Sequence, residues 1–181
     1  TLDGRPLLWQ NFDSENPDVQ FIFFKGLKYD YIGLVNGQDT SLVYSGLNTA
    51  GFGIVINRPN SDSTDSRASS PANILKEALA TCGNVEDFDR LLQKSALIDS
   101  NASIACIDAY GGSVLHDAGG RQSAADPVNS PEGFLVRSNF SFHQKQEPDV
   151  GFWRYHKSRM LLKQTGRSIH AKNIIQNISR N

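Results

Sequence analysis

The length and composition of the chain are those of an ordinary folded domain. It has 181 residues, of which 39% are hydrophobic and 20% charged, enough to bury one core in a single domain spanning residues 1–181. The formal net charge is −1, and Lys and Arg are scattered without a long run of like charge. This distribution argues against nucleic acid and anionic membranes as partners.

The sequence carries no targeting or metal-binding pattern. No apolar run is long enough to cross a membrane, and the chain does not open with a basic region followed by an apolar one. Localisation is left open, because an upstream signal for secretion or periplasmic export could have been removed. Cys82 and Cys106 lie in a helix-like and a strand-like segment without CxxC or histidine spacing, which predicts buried free thiols, no metal and no cofactor.

The first half of the chain predicts an antiparallel meander. Runs rich in β-branched and aromatic residues alternate with turn signals such as Asn36-Gly37. The run at residues 51–56 is almost continuously apolar, which predicts a central strand buried on both faces. Asp3-Gly4 before an apolar run is a further hairpin signal. The predicted strands are residues 7–9, 19–24, 29–35, 41–45 and 51–56, and residues 60–70 form an exposed loop.

The second half adds helices and further strands. Ser70 and Pro71 begin a helix that ends near Gly83, and Asn84 caps a second helix that has acidic residues in its first turn. The remaining elements are a hairpin of residues 103–109 and 113–116, a strand at 133–138, and helices at 152–164 and 170–178. This order predicts an α+β fold in which helices cover antiparallel sheets.

The opening segment resembles a motif of the penicillin acyltransferase and choloylglycine hydrolase group. Residues 3–13, DGRPLLWQNFD, are similar to the second strand of that group, which has a DG turn, an apolar run and then [RQ]-N-x-D. The matching positions here are Gln10, Asn11 and Asp13. The bile-salt branch uses arginine where Gln10 stands, so the chain agrees better with the acyltransferase branch.

Two later segments extend the same resemblance. Residues 46–53, GLNTAGFG, resemble the group's G-x-N-x-x-G strand turn, and the asparagine that ends it corresponds to Asn57. Residues 133–140, GFLVRSNF, resemble the strand that ends in T-N, with Ser138 in place of threonine before Asn139. The motifs occur in the family order with the expected elements between them, so the resemblance covers nearly the whole chain.

The resemblance implies the four-layer αββα sandwich of N-terminal-nucleophile hydrolases, incomplete at both ends. It implies a hydrolase or acyltransferase acting on linear amide bonds of a small molecule, through an N-terminal cysteine whose α-amine is the general base. Asp13 would orient that amine, and Asn57 and Asn139 would stabilise the oxyanion. Arg154 resembles the family's arginine at the start of the helix after the T-N strand.

The sequence departs from the family at the nucleophile. Thr1 stands two residues before the DG turn, too close to be the residue that opens the preceding strand. A terminal threonine is a nucleophile in other branches of the superfamily, so this role of Thr1 stays open. We expect instead a catalytic cysteine upstream and a chain that is inactive as given. A missing strand would also expose a sheet edge and side chains such as Leu8, which favours association into homo-oligomers.

Two other interpretations stay open. The chain could be a non-catalytic ligand-binding module that keeps the fold, or Asp13, Asn57 and Asn139 could be strand-end caps without a common site. Arg154 could equally belong to a solvated helix face. A pocket shared by these residues distinguishes a functional site from the purely structural interpretation.

Overall fold

In the computed structural model, one antiparallel sheet organises the described part of the chain, and each of its seven strands pairs with its sequence neighbours. The described residues are 4–12, 18–37, 39–57, 71–95, 102–117, 120–124, 126, 132–139, 150–166 and 169–179. The strands are β1 (Val19–Phe24), β2 (Tyr31–Asn36), β3 (Ser45–Asn48), β4 (Gly53–Asn57), β5 (Ser103–Ile107), β6 (Ser113–Asp117) and β7 (Gly120–Ser123). The helices are α1 (Pro71–Thr81), α2 (Val85–Lys94), α3 (Val150–Thr165) and α4 (Ala171–Asn173), which continues as a π-helical turn (Ile174–Ile178).

The predicted meander and the central position of its fourth strand are confirmed, but the predicted burial on both faces is wrong, because Val55 and Asn57 on one face are only half-buried. β1 has the predicted bounds, and β4 lies in the middle of the sheet with Ile54 and Ile56 buried. The prediction for residues 41–45 is wrong, because β3 begins only at Ser45. The Asp39 carboxylate accepts a hydrogen bond from the Ser41 N–H at 2.9 Å, and this local turn delays regular pairing.

Side-chain alternation divides the sheet into two faces. The helix face carries Ile54, Ile104 and Cys106, which pack with Leu79 of α1 and Phe88 of α2 in the main hydrophobic core. Burial of apolar side chains contributes about 0.8 kcal/mol per methylene, so this face supplies most of the hydrophobic stabilisation. The opposite face, here called the cavity face, carries residues 55 and 57 of β4, 103, 105 and 107 of β5, and 115 and 117 of β6.

A buried asparagine fixes the β3–β4 turn against α1. The Asn48 side chain donates to the carbonyls of Leu79 at 3.0 Å and Cys82 at 2.7 Å, and it accepts from the N–H groups of Ala50 and Phe52 at 3.0 Å each. Three of these bonds are buried and the bond from Ala50 is part-buried, and unpaired polar groups are costly in such a setting. The asparagine of the G-x-N-x-x-G motif therefore has a structural role.

A buried carboxylate fixes the β5–β6 turn against α2. Asp108 accepts hydrogen bonds from the N–H groups of Val85 at 3.0 Å, Tyr110 at 2.9 Å and Gly112 at 2.8 Å. Val85 is the first residue of α2, where the helix dipole favours a negative charge. Asp108 thereby ties the helix to the sheet.

Several predicted elements differ from the structure. Residues 7–9 and 133–138 were predicted as strands, and neither segment forms one. Their apolar pattern indicates burial but cannot supply a partner strand, and Phe134 and Val136 pack against Leu162 instead. β7 was not predicted, because its sequence GRQS lacks apolar alternation. The predicted helix at 170–178 is α-helical only over Ala171–Asn173.

Other predictions are confirmed or fall outside the described residues. Asn84 caps α2, its side chain accepting from the Asp87 N–H at 2.9 Å. Cys82 and Cys106 are buried free thiols, and none of the helices in the described ranges could cross a membrane. Thr1, Asp3, Asp13, Ser70 and the predicted loop at 60–70 lie outside the described residues.

Candidate active site

A cavity of about 560 Å³ lies against the cavity face of the sheet. Its floor comes from β4, β5 and β6, and residues 6–11, residues 133–139 and α3 form its walls. The terminal helical segment closes one side through Ile174 and Ile178. The lining combines aliphatic side chains with amide, hydroxyl and guanidinium groups, the mixture expected of a small-molecule site.

Three of the four predicted site residues line this cavity. Asn57 ends β4 on the cavity face, opposite Ser103 of β5. Asn139 follows the wall segment 134–138, and Arg154 lies near the start of α3. The fourth residue, Asp13, lies outside the described residues. The structure thus brings together side chains from three distant parts of the chain.

The wall that carries Asn139 is anchored to the sheet and to α3 by side chains. Arg137 donates through Nε and Nη2 to Oδ2 of Asp117 on β6, at 2.9 Å and 2.7 Å. Both side chains are largely buried, so the two charges satisfy each other in a low-dielectric setting. The hydroxyl of Ser138 donates to the Gly151 carbonyl at 2.6 Å. These contacts fix the position of Asn139 relative to the strands that form the cavity floor.

The opposite wall is anchored by the amide side chains of the first predicted motif. Gln10 donates to the carbonyl of Ile56 at 2.5 Å, and Asn11 donates to the carbonyl of Ser179 at 3.3 Å. Gln10 and Asn11 both line the cavity. They connect the opening segment with β4 on one side and with the C-terminal helical segment on the other.

The charged groups of the described cavity lining are all basic. They are Arg137, Arg154 and Lys157, and no carboxylate lines the cavity within the described ranges. Arg137 is paired with the Asp117 carboxylate, so the positive charge of this lining is partly balanced. Arg137 and Lys157 were not singled out from the sequence. The sequence offered one signal for them: Arg137 lies two residues before Asn139, and Lys157 lies three residues after Arg154.

Neither cysteine of the sequence is suited to nucleophilic attack. Burial raises the pKa of the Cys82 thiol to about 11. Burial also raises the pKa of Cys106 well above its usual value, and this residue points to the helix face although its backbone borders the cavity. A thiol reacts as its thiolate, so burial and the raised pKa disfavour both residues as nucleophiles at neutral pH.

The fold is similar to that of an acid amidase and of a bile acid hydrolase of known structure. A Caenorhabditis elegans N-acylethanolamine-hydrolyzing acid amidase ortholog matches with a TM-score of 0.68 and 16% identity, over 94% of this chain and 79% of that protein. A conjugated bile acid hydrolase variant from Clostridium perfringens matches with a TM-score of 0.51 and 14% identity, over 92% and 67%. The resemblance seen in the sequence is confirmed at the level of the fold.

Penicillin V acylase from Agrobacterium tumefaciens is also similar, with a TM-score of 0.48 and 13% identity. The match covers 84% of this chain and only 57% of that protein, so the chain corresponds to little more than half of it. No known family profile matches the sequence, and no curated protein does.

Proposed function

We propose that the chain supplies the substrate cavity and oxyanion-stabilising groups of a hydrolase or acyltransferase that cleaves linear amide bonds by an N-terminal-nucleophile mechanism. The observation that carries the proposal is the convergence of Asn57, Asn139 and Arg154 on one cavity. The family resemblance predicts the same three residues for the site from the sequence alone. A set of unrelated strand-end caps has no reason to share a cavity.

The proposed roles follow from the chemistry of amide cleavage. The carboxamide N–H groups of Asn57 and Asn139 stabilise the oxyanion of the tetrahedral intermediate, and Arg154 adds positive charge at the same cavity. Asp13 orients the α-amine that serves as general base. Because Cys82 and Cys106 are disfavoured as nucleophiles, the nucleophile in this proposal is a cysteine upstream of Thr1 that becomes N-terminal on processing.

The proposed layering is the αββα sandwich. α1 and α2 form one outer layer over the helix face, and the seven-stranded sheet is the next layer. The extended segments 5–12 and 134–138 lie where a second sheet would stand, between the first sheet and α3. Support for this arrangement comes from the cavity walls that these segments form.

The experiment begins with the gene upstream of Thr1. A Cys-Thr or Cys-Ser pair about one strand length before the DG turn is expected, and its absence would remove the basis of the mechanism. The extended protein should hydrolyse linear amides, and replacing the terminal cysteine by alanine should abolish this activity. Asn57→Ala and Asn139→Ala should each lower kcat by roughly 10²-fold to 10³-fold.

A matched control is Asn177→Ala, which removes the same side chain from an exposed position outside the cavity lining. This variant should retain full activity. If Asn57→Ala and Asn139→Ala behave like the control in an active enzyme, the assignment of the oxyanion groups is wrong.

The second candidate is a ligand-binding module without catalysis. It is favoured by the raised pKa of both cysteines in this sequence. It predicts that the extended protein binds small amides in the cavity and never hydrolyses them. Measured turnover by the extended protein would reject it.

A further inference from the structure

The two edges of the described sheet differ in length and polarity. β7 (Gly120–Ser123) has four residues and is polar along its whole length. β1 (Val19–Phe24) has six residues and contains neither proline nor a charged side chain. Short, polar edges resist pairing with another chain, whereas long apolar edges favour it. β1 is therefore the edge at which a further strand can be added.

The backbone of β1 has one row of hydrogen-bonding groups that points away from β2. The Asp18 carbonyl accepts a hydrogen bond from the Gly37 N–H at 2.6 Å, so residue 18 points its backbone groups towards β2. Alternate residues of an antiparallel strand point these groups to opposite sides. The N–H and C=O groups of Val19, Phe21 and Phe23 therefore point outward. Within the described ranges, no other backbone group bonds to them.

The side chains beside this outward row are apolar and exposed. Phe21 and Phe23 are 68% and 61% exposed on the cavity face, and Phe23 lies opposite the exposed Ile32 of β2. A row of unpaired backbone groups next to exposed aromatic side chains is a template for another β-strand.

The sequence of β1 is complementary to itself under a two-fold axis perpendicular to the sheet. With Ile22 on the axis, Phe21 of each copy lies opposite Phe23 of the other, and each such pair exchanges both of its backbone hydrogen bonds. Cross-strand aromatic pairs stabilise antiparallel strands. Asp18 precedes the apolar run and Lys25 follows it, so opposite charges of the two copies come close at both ends.

We propose that two copies of the chain pair antiparallel through the outer edges of β1, so that their sheets join into one continuous sheet. The pairing does not depend on the proposed function. Each exposed phenylalanine side chain offers roughly 100 Å² to the contact, since a fully buried aromatic side chain covers about 150–250 Å². The contact is thus smaller than the about 800 Å² per partner of a standard interface, and the dimer dissociates on dilution.

Sedimentation equilibrium of the present chain over roughly a hundredfold range of concentration tests the proposal. The mass should rise with concentration towards about twice the 19.9 kDa of one chain. Phe21→Pro should abolish this rise, because it removes an outward N–H and leaves the bonds to β2 in place. Circular dichroism checks that the variant is folded. A parent chain that stays monomeric throughout would overturn the proposal and indicate that another segment of the same polypeptide covers the edge.

Charged variants test the register of the pairing. Phe21→Lys/Phe23→Lys and Phe21→Glu/Phe23→Glu each place like charges opposite one another across the axis, so each variant alone should be a monomer. An equimolar mixture of the two should regain the dimer mass, because lysine of one copy then faces glutamate of the other. Regain of the mass also shows that both variants are folded. A mixture of folded variants that stays monomeric while the parent chain dimerises would overturn pairing through these edges.

Leu27→Lys and Leu47→Lys are the matched controls. Leu27 is 90% exposed between β1 and β2, and Leu47 is 50% exposed on the cavity face of β3, so both lie away from the outer edge of β1. Both variants should dimerise like the parent chain. A monomeric Leu47→Lys variant would show that two copies stack through their cavity faces instead, which would overturn the pairing of edges.

Discussion

The two faces of the sheet are held in different ways. The helix face packs fully buried side chains such as Leu79 and Phe88, and Asn48 and Asp108 fix the β3–β4 and β5–β6 turns by hydrogen bonds. Among the described residues, the cavity face packs against a small cluster around Leu162, and its walls are attached by individual side-chain contacts such as Arg137 with Asp117. Stability therefore resides on one face, while the other keeps the open volume that a ligand needs.

Truncating a leucine on each face should give the largest contrast. Leu79→Ala removes a fully buried side chain from close packing, and we expect a loss of about 4 kcal/mol in the free energy of unfolding. Leu162→Ala borders a cavity that already exists, so we expect about 2 kcal/mol. Urea denaturation of both variants measures the difference. Equal losses would mean that the two faces are packed equally well.

Removing the side chain of Asn48 should have the next largest effect. Asn48→Ala leaves two carbonyls and two N–H groups without their buried partner, which we expect to cost about 3 kcal/mol. Asn48→Asp keeps the two bonds in which the side chain accepts, but it places a carboxylate against the carbonyls of Leu79 and Cys82. It should therefore be no more stable than Asn48→Ala. A milder loss than that of Leu162→Ala would show that water replaces the lost bonds.

Two glycines in adjacent strands test the faces with a single methyl group. Gly46 faces the helices, and a Cβ there would lie 2.5 Å from the Ile32 carbonyl oxygen and 2.6 Å from Cδ1 of Leu79. Gly46→Ala should therefore destabilise by about 2 kcal/mol. Gly53→Ala meets only ordinary contacts on the cavity face and should stay within about 0.5 kcal/mol of the parent. Equal decreases of the thermal unfolding midpoint in Gly46→Ala and Gly53→Ala would refute the distinction between the two faces.

The smallest effect is a pH dependence on the cavity side. Hydrogen bonds from Lys163 and Arg159 lower the pKa of Glu132 to about 2, against 4.5 for an ordinary glutamate. The stabilisation is therefore complete above pH 4.5 and disappears as the pH falls from there towards 2. Glu132→Gln should flatten this part of the pH profile of the unfolding midpoint. Glu77→Gln on α1 is the control and should follow the parent chain.

Sequence patterns predicted the elements that depend on local chemistry. The bounds of β1, the cap at Asn84 and the buried centre of β4 follow from alternation, capping residues and continuous apolarity. The pairing of Arg137 with Asp117 could not be predicted, because it joins residues from different elements. Residues 133–138 do not form the predicted strand for the same reason. A strand needs a partner strand, and the periodicity of one segment does not identify that partner.

The candidate site was predicted from the family resemblance and not from local sequence patterns. Asn57, Asn139 and Arg154 are individually ordinary residues at element ends, and only their order within the resembled motifs selected them. Arg137 and Lys157 were missed because nothing local distinguishes a cavity cation from a solvated one. The exposure of Phe21 and Phe23 was not predicted, because alternation in β1 shows two apolar sets without indicating which of them is covered.

The sheet order, in which each strand neighbours the next one along the chain, has a consequence for folding kinetics. Such pairings have low contact order, so the hairpins β1–β2, β2–β3 and β3–β4 can close over short loops as the chain is synthesised. Pairing of β4 with β5 spans the intervening α1–α2 hairpin and is the one long closure between adjacent strands of the described sheet. Docking of α1 and α2 on the helix face shortens that closure, because the two helices bring β5 back to β4. We expect the helical pair that stabilises the folded domain also to favour the pairing of β4 with β5 during folding.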